Sequence, residues 1–435
     1  MPPHVGLDAP LHPLTALAYG LQHVLAMAAG LVAPPLVVAH ALGLPPDQRT
    51  LLVAMALLTS GLTTWLQVWR MGPVGSGLLL IQGTSFTFVP VAVQAGSAGG
   101  LALIFGSALA TAPVELVASR LLRPLRRRFP PVVTGSVVLL IGLDLIRIGI
   151  GDLAGGVGIV DPGAPRHLIP GLLVMALVVV FSQAPGSIRA GAVGLALAVG
   201  YIGMLAMGRI ELAAVAGAPW VALPHPLASG LEVRPDFLIP FAIAYLVSAV
   251  ETLGDLTAAS EASDQPVEGP IFIARAQGGL LADGLGSALA ALLGCLPNTT
   301  FSQNIGVISL TGVASRRVGL AAAGLLVGLG LCPKLAAVIS ATPRPVLGGA
   351  TTVLFATVAV GGLKIALRDG MGPRNQLILA VTLGLGLGVS LEPGTLTGWT
   401  PQGVLATSLH TVLGSGVAVG AIVATALEAG LPRGR

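Results

Sequence analysis

The chain has 435 residues, 54% of them apolar and only 9% charged, with a mean hydropathy of +0.90. A soluble domain carries about 25% charged residues because water must solvate its surface, so this composition excludes an ordinary soluble protein. The net charge of +4 and pI near 9.6 do not indicate nucleic acid, because the basic residues are dispersed through short loops.

Apolar runs of about 20 residues, long enough to cross a bilayer, recur from end to end. The first, 14–34, lacks a charged leader and is too long for the apolar part of a secretory signal, so it reads as a span. It carries an intramembrane polar pair, Gln22-His23. Spans follow at 49–69 and 78–95. The latter holds Gln82-Gly83-Thr84-Ser85-Phe86-Thr87-Phe88-Val89-Pro90, a poor helix because Gly, β-branched residues and Pro crowd it. It reads as an extended segment running into a half-helix, whose free N–H groups end near the membrane centre and suit carbonyl oxygens or a delocalised anion. Span 101–122 leads into the basic residues Arg120, Arg123, Arg126, Arg127 and Arg128, a topology anchor. Spans at 132–149, 168–184 and 189–208 complete the first half.

The span at 237–258 carries acids. Ser248, Glu251, Thr252 and Asp255 recur at three- and four-residue spacing, so they form one polar stripe that must face a bundle or a cavity. An acid at mid-bilayer costs on the order of 3 kcal/mol on insertion scales, which makes such residues functional candidates. The competing role is an inter-helix hydrogen bond that only fixes packing. Asp283, in the span 276–296, invites the same choice, and the remaining carboxylates read as lying in loops or at span ends. The tenth span, 299–313, opens with Pro297-Asn298-Thr299-Thr300-Phe301-Ser302-Gln303-Asn304 and repeats the extended-to-helical character of the third. Spans at 318–339, 345–365, 376–391 and 405–429 bring the expected total to fourteen.

An even count puts both termini on one side. With the termini in the cytoplasm, about fifteen basic residues fall inside and about seven outside, as the positive-inside rule requires. The two halves echo each other: Gly83-Thr84-Ser85-Phe86 parallels Asn298-Thr299-Thr300-Phe301. Seven spans per copy is odd, so a second copy must lie upside down, the arrangement of many secondary transporters. Gly384-x-Gly386-x-Gly388 lacks the strand and helix context of a dinucleotide loop and reads as helix packing. Cys295 and Cys332 lie in apolar segments without metal-ligand spacing, and the seven histidines are scattered with no His-Glu-x-x-His. No metal, no cofactor and no enzymatic activity are expected.

At these polar clusters the sequence resembles the nucleobase–ascorbate transporter family, and within it the bacterial xanthine and urate permeases. The family signature is Gln, Glu or Pro, then Asn-x-Gly, four residues, and Thr followed by Arg, Lys or Gly. It stands intact as Gln303-Asn304-Ile305-Gly306, Val307 to Leu310, and Thr311-Gly312. Gln22-His23, the Gln82–Phe86 stretch, Glu251-Thr252-Leu253-Gly254-Asp255 and Ala282-Asp283-Gly284 match in the same order. The resemblance covers essentially the whole chain.

The resemblance implies an all-α polytopic fold of fourteen spans in two inverted seven-span repeats, with short extended segments in spans three and ten. The core domain would comprise 14–122 and 236–340, and the gate domain 131–210 and 343–430. Homodimerisation through the gate and residence in the bacterial cytoplasmic membrane are implied too. Substrate would sit between core and gate, held by Glu251 and Gln303, with backbone N–H groups near Phe86 and Ser302 assisting. Asp255 occupies a position that is histidine in the uracil members. It is expected to couple transport to protons, with His23, Asp283 and Asn304 in support.

An ionised Glu251 offers only acceptors, which suits the N–H groups of a base, while the Gln303 amide matches an adjacent C=O and N–H. Gln303 and Gly312 follow the purine pattern, whereas uracil carriers have Glu and usually a basic residue there. Thr87 leans the choice towards urate, since the xanthine type carries Asn and a smaller hydroxyl leaves room for the C8 carbonyl. The expected function is proton-coupled uptake of a purine base. The alternatives are a uracil or other nucleobase symporter, and an anion carrier of similar fold, whose substrates the paired acids would repel.

Overall fold

Proline opens many of the long helices, because its fixed φ suits the first turn and its missing N–H would find no partner there. In the computed structural model, which describes residues 5–121, 130–156, 159–185, 187–210, 212–392 and 404–432, α1 (Pro13–Ala41) and α2 (Pro46–Trp69) come first. They are followed by the strand β1 (Gln82–Thr84), a 3-10 turn (Phe86–Phe88), α3 (Val89–Thr111) and α4 (Pro113–Arg120). Next are α5 (Pro131–Leu153), α6 (Pro165–Gln183) and α7 (Ala192–Ala206). The second half runs α8 (Pro235–Ala262), α9 (Gly269–Leu293), β2 (Asn298–Thr300), α10 (Ser302–Thr311), α11 (Arg316–Gly330) and α12 (Pro333–Ser340). It ends with α13 (Arg344–Ala366), α14 (Pro373–Leu391), α15 (Val404–Leu413) and α16 (Gly416–Gly430). Arg123, Arg126, Arg127 and Arg128 lie outside the described residues.

Among the described residues, 9 helices are long and apolar enough to cross a membrane, or up to 11 if each of two bent pairs counts as one span. Several expected spans therefore differ in form. The third and fourth run on as Phe86–Arg120, broken at Gly99 and Gly100, where Gly100 takes φ 68°. The eleventh bends by 82° between α11 and α12, because Pro333 cannot continue the ladder of hydrogen bonds. The fourteenth bends by 93° at Gly414-Ser415-Gly416. The seventh is only 15 residues long.

Small residues set the closest helix contacts. A Cβ on Gly135 or Gly142 of α5 would overlap the backbone of Ala366 or Ala359 on α13, so these two helices approach as only glycine allows. In the other half of the molecule α2 runs against α11, α9 and α12. α6 and α14 bury little of their surface, leaving Leu172, Val180, Leu377 and Leu385 facing outwards. An apolar exterior incurs no penalty against lipid tails. His40 on α1 and Asp152 on α5, both buried, face each other at 3.9 Å. The N-terminal segment returns to the loop after α10, where Val5 N–H donates to the Gly312 carbonyl at 3.1 Å.

Candidate functional site

The two motifs that looked least helical meet in the middle of the molecule. β1 and β2 pair antiparallel, with Gln82 opposite Thr300, Gly83 opposite Thr299 and Thr84 opposite Asn298. Non-helical backbone inside a membrane must have every polar group satisfied by protein. Here Ser85 N–H donates to Pro297 O at 2.9 Å and Phe301 N–H to Ile81 O at 3.0 Å. Gln82 N–H donates to Thr64 Oγ1 at 2.9 Å, Asn298 N–H to Ser287 Oγ at 3.0 Å, and Ser60 Oγ to the Gln82 carbonyl. Gly83 has no room for a side chain, since a Cβ would enter the ring of Phe301.

Each strand hands over directly to a helix. The 3-10 turn begins at Phe86, and Ser85 caps it by accepting from Thr87 N–H at 3.3 Å. α10 begins at Ser302. The first N–H groups of a helix have no intrahelical partner, so two sets of donors open on either side of the strand pair. The elements also start in step: β1 at Gln82 and β2 at Asn298, then the 3-10 turn at Phe86 and α10 at Ser302.

The α8 stripe faces this strand pair. Thr87 Oγ1 donates to Glu251 Oε2 at 3.3 Å, and Thr300 Oγ1 donates to Asp255 Oδ2 at 2.7 Å. Ser248 Oγ donates to Thr299 Oγ1 at 3.3 Å, and Thr252 Oγ1 donates to Asp283 Oδ2 at 2.5 Å. With its amide turned to suit its neighbours, Gln82 donates to Asp283 Oδ1 at 2.8 Å and to the Thr299 carbonyl at 2.9 Å. Thr87 and Asp283 are buried, Glu251, Asp255 and Gln303 are half-buried, and Ser302 is exposed. Gln303 Nε2 lies 3.9 Å from the place a side chain on Gly30 of α1 would begin.

His23 and Asn304 form a separate pair. The Asn304 amide reaches His23 Nδ1 at 3.0 Å and donates to the His23 carbonyl at 3.2 Å, tying α1 to α10. Both are buried, and these two hydrogen bonds join them to each other.

Two inward-facing residues carry no clear mark in the sequence, Phe355 at the site and Glu115 outside it. Phe355 of α13 meets Phe86 edge to face, with centroids 5.5 Å apart and planes at 83°. An aromatic in an apolar run carries no signal that it points inwards. Glu115 of α4 is wholly buried, so not every remaining carboxylate lies in a loop or at a span end. Its position inside the run 101–122 was the available signal. The cavity of about 300 Å³ between α1, α7, α12 and α13 is lined by residues such as Ala28, Val32, Leu197, Ile202 and Val338, and lies away from the acids. Among the described residues no cluster of His, Cys, Asp or Glu could hold a metal ion.

The family model Xan_ur_permease, described as a permease family, matches residues 14–395. The xanthine permease XanP of Escherichia coli K12 is 39% identical, over 97% of this chain and 92% of its own length. XanQ of the same strain, also a xanthine permease, is 38% identical over 96% and 91%. A putative purine permease of Schizosaccharomyces pombe is 36% identical over 99% of this chain and 81% of its own. Among solved structures, the transmembrane domain of the cyanobacterial bicarbonate transporter BicA aligns with a TM-score of 0.64 at 19% identity, covering 89% of this chain and 99% of that one. SLC26A9 aligns with a TM-score of 0.61 at 15% identity, covering 96% and 66%. The structural likenesses concern the fold, which is that of a multi-pass transporter.

Proposed function

Because the chain belongs to the nucleobase–ascorbate transporter family of permeases, we propose that it carries a purine base, xanthine or urate, across the bacterial cytoplasmic membrane together with protons. The observation that carries this reading is the Thr87–Glu251 hydrogen bond beside two helix N-termini at the strand pair, with Gln303 in the first turn of α10. Glu251 accepts from ring N–H groups, Gln303 both donates and accepts, and the N–H groups at Phe86 and Ser302 receive carbonyl oxygens. Asp255, one turn from Glu251, takes part in proton coupling. Asp283 and the His23–Asn304 pair support the site from either side.

The wider architecture follows the same reading. On this reading α1, α2, the two half-helices with their strands, the kinked and bent pairs, and the remaining helices make up fourteen spans. Matching element lengths support an inverted repeat: 23 residues in both α5 and α13, 19 in both α6 and α14, and 15 in both α7 and α16. α1–α4 with α8–α12 form the core, and α5–α7 with α13–α16 form the gate. Phe86 and Phe355 lie on the two sides of their boundary. The uncovered faces of α6 and α14 suit lipid and a second copy, and both termini are cytoplasmic. An anion carrier of the same fold is disfavoured by the acids around the strand pair, and a uracil carrier by Gln303 and Gly312.

A thermal-shift screen of the purified protein against xanthine, urate, hypoxanthine, guanine, uracil and ascorbate tests the reading. Stabilisation by xanthine or urate above the others is expected. Stabilisation by uracil alone, or by none of them, contradicts it.

A further inference from the structure

Glu115 has no part in the site as described, yet it lies in the molecular interior with no exposed surface. Neither of its carboxyl oxygens receives a hydrogen bond from a donor among the described residues. The group within its reach is the carboxyl of Asp283, across the α4–α9 contact. That contact is close because position 284 is glycine: a Cβ there would sit 2.9 Å from the Leu116 side chain and 3.3 Å from Glu115 Cβ. Asp283 is itself fully buried and already accepts from Thr252 and Gln82.

Two ionised carboxylates are acceptors only, so they cannot bond to each other. Contact between them closes when one proton lies between them, as in other adjacent acid pairs. The ion pairs among the described residues include neither Glu115 nor Asp283, so no cation neutralises them that way. The titratable groups that face the pair from α8 are Glu251, Asp255 and Tyr245, none of them cationic, and the Tyr245 hydroxyl donates to the Ala108 carbonyl at 3.0 Å.

From Asp283 the polar contacts continue without a gap. Thr252 Oγ1 touches Asp283 Oδ2 at 2.5 Å, Thr300 Oγ1 lies 3.4 Å from Thr252 Oγ1, and Asp255 Oδ2 lies 2.7 Å from Thr300 Oγ1. A hydroxyl can accept on one side and donate on the other, so two threonines connect the buried pair to the acid beside Glu251.

We propose that Glu115 and Asp283 form a buried acid pair that binds one proton, and that Thr252 and Thr300 link this proton site to Asp255. When the proton is taken up, an O–H bond forms on one carboxyl and the pair goes from two negative charges to one. When it leaves, that bond breaks and the proton passes to the opposite compartment. The proton site stands on its own geometry, while its use in driving uptake rests on the transport reading above.

Infrared spectroscopy of the purified full-length chain reads the proton directly. The wild type should show a protonated-carboxyl C=O band at neutral pH that Glu115→Gln removes. A wild type without any such band, or a band unchanged in Glu115→Gln, overturns the proposal; the first result needs no variant to fold. In proteoliposomes, Glu115→Gln should exchange xanthine between compartments of equal pH as the wild type does, yet lose the accumulation driven by an imposed pH gradient. Accumulation at the wild-type level would overturn the link to coupling. A wild type that shows the band but exchanges no xanthine refutes the transport reading and supports the proton site.

Discussion

Glu251→Gln isolates what the charge of one carboxylate contributes to the proposed site. In the wild type one oxygen accepts from Thr87 Oγ1 at 3.3 Å, and the proposal assigns the other to an N–H of the base. The amide removes a charge-assisted hydrogen bond, a loss of about 1.5–3 kcal/mol. If its NH2 faced the N–H of the base, the clash of donors would add about 1–3 kcal/mol. Thr87 decides which case holds. Its hydroxyl accepts as readily as it donates, so the amide can turn its NH2 to Thr87 and its carbonyl to the base. Only the first loss then remains, which weakens binding by about ten- to hundred-fold at roughly 1.4 kcal/mol per factor of ten. In a Thr87→Val background that escape is closed, and Glu251→Gln should cost roughly tenfold more than it does alone. Calorimetric titration with xanthine or urate measures both effects, with thermal denaturation as the check on folding. A folded Glu251→Gln protein that binds within about twofold of the wild type would refute a charge-assisted role for this carboxylate.

Three further outcomes are expected. Thr87→Asn should shift preference from urate towards xanthine, read as a reversal of their order in competition binding. Asp255→Asn should weaken binding less than it weakens gradient-driven accumulation, and a variant that still concentrates substrate in response to a pH gradient moves the coupling role elsewhere. Gly83→Ala should destabilise the strand pair by about 1–3 kcal/mol, because the new methyl group enters the Phe301 ring. A lowered midpoint of thermal unfolding checks this, and an unchanged midpoint would mean that the Phe301 ring moves aside freely.

Much of the site was legible because membrane burial makes polar residues conspicuous. Ser248, Glu251, Thr252 and Asp255 stand out in an apolar helix, and their helical spacing alone assigns them to one face. The Gln82–Pro90 and Pro297–Asn304 stretches betray their extended backbone through Gly, Thr and Pro where a span should be helical. Their mutual pairing was not legible, since two strands of three residues leave no periodicity to register. Phe355 was hidden because Phe suits lipid, protein and ligand equally. Glu115 stood inside the run 101–122, but with no second acid at helical spacing it formed no acidic stripe to set it apart. The bends at Cys332-Pro333 and Gly414-Ser415-Gly416 arise inside runs whose total hydropathy looks like that of a straight span.

Uptake of labelled xanthine and urate into proteoliposomes holding the purified wild type, with an outside-acid pH gradient imposed, tests the central claim most directly. One or both purines should accumulate, a protonophore should abolish the accumulation, and unlabelled xanthine and urate should compete better than uracil or bicarbonate. Accumulation indifferent to the gradient, or displacement by uracil or bicarbonate ahead of both purines, would contradict it.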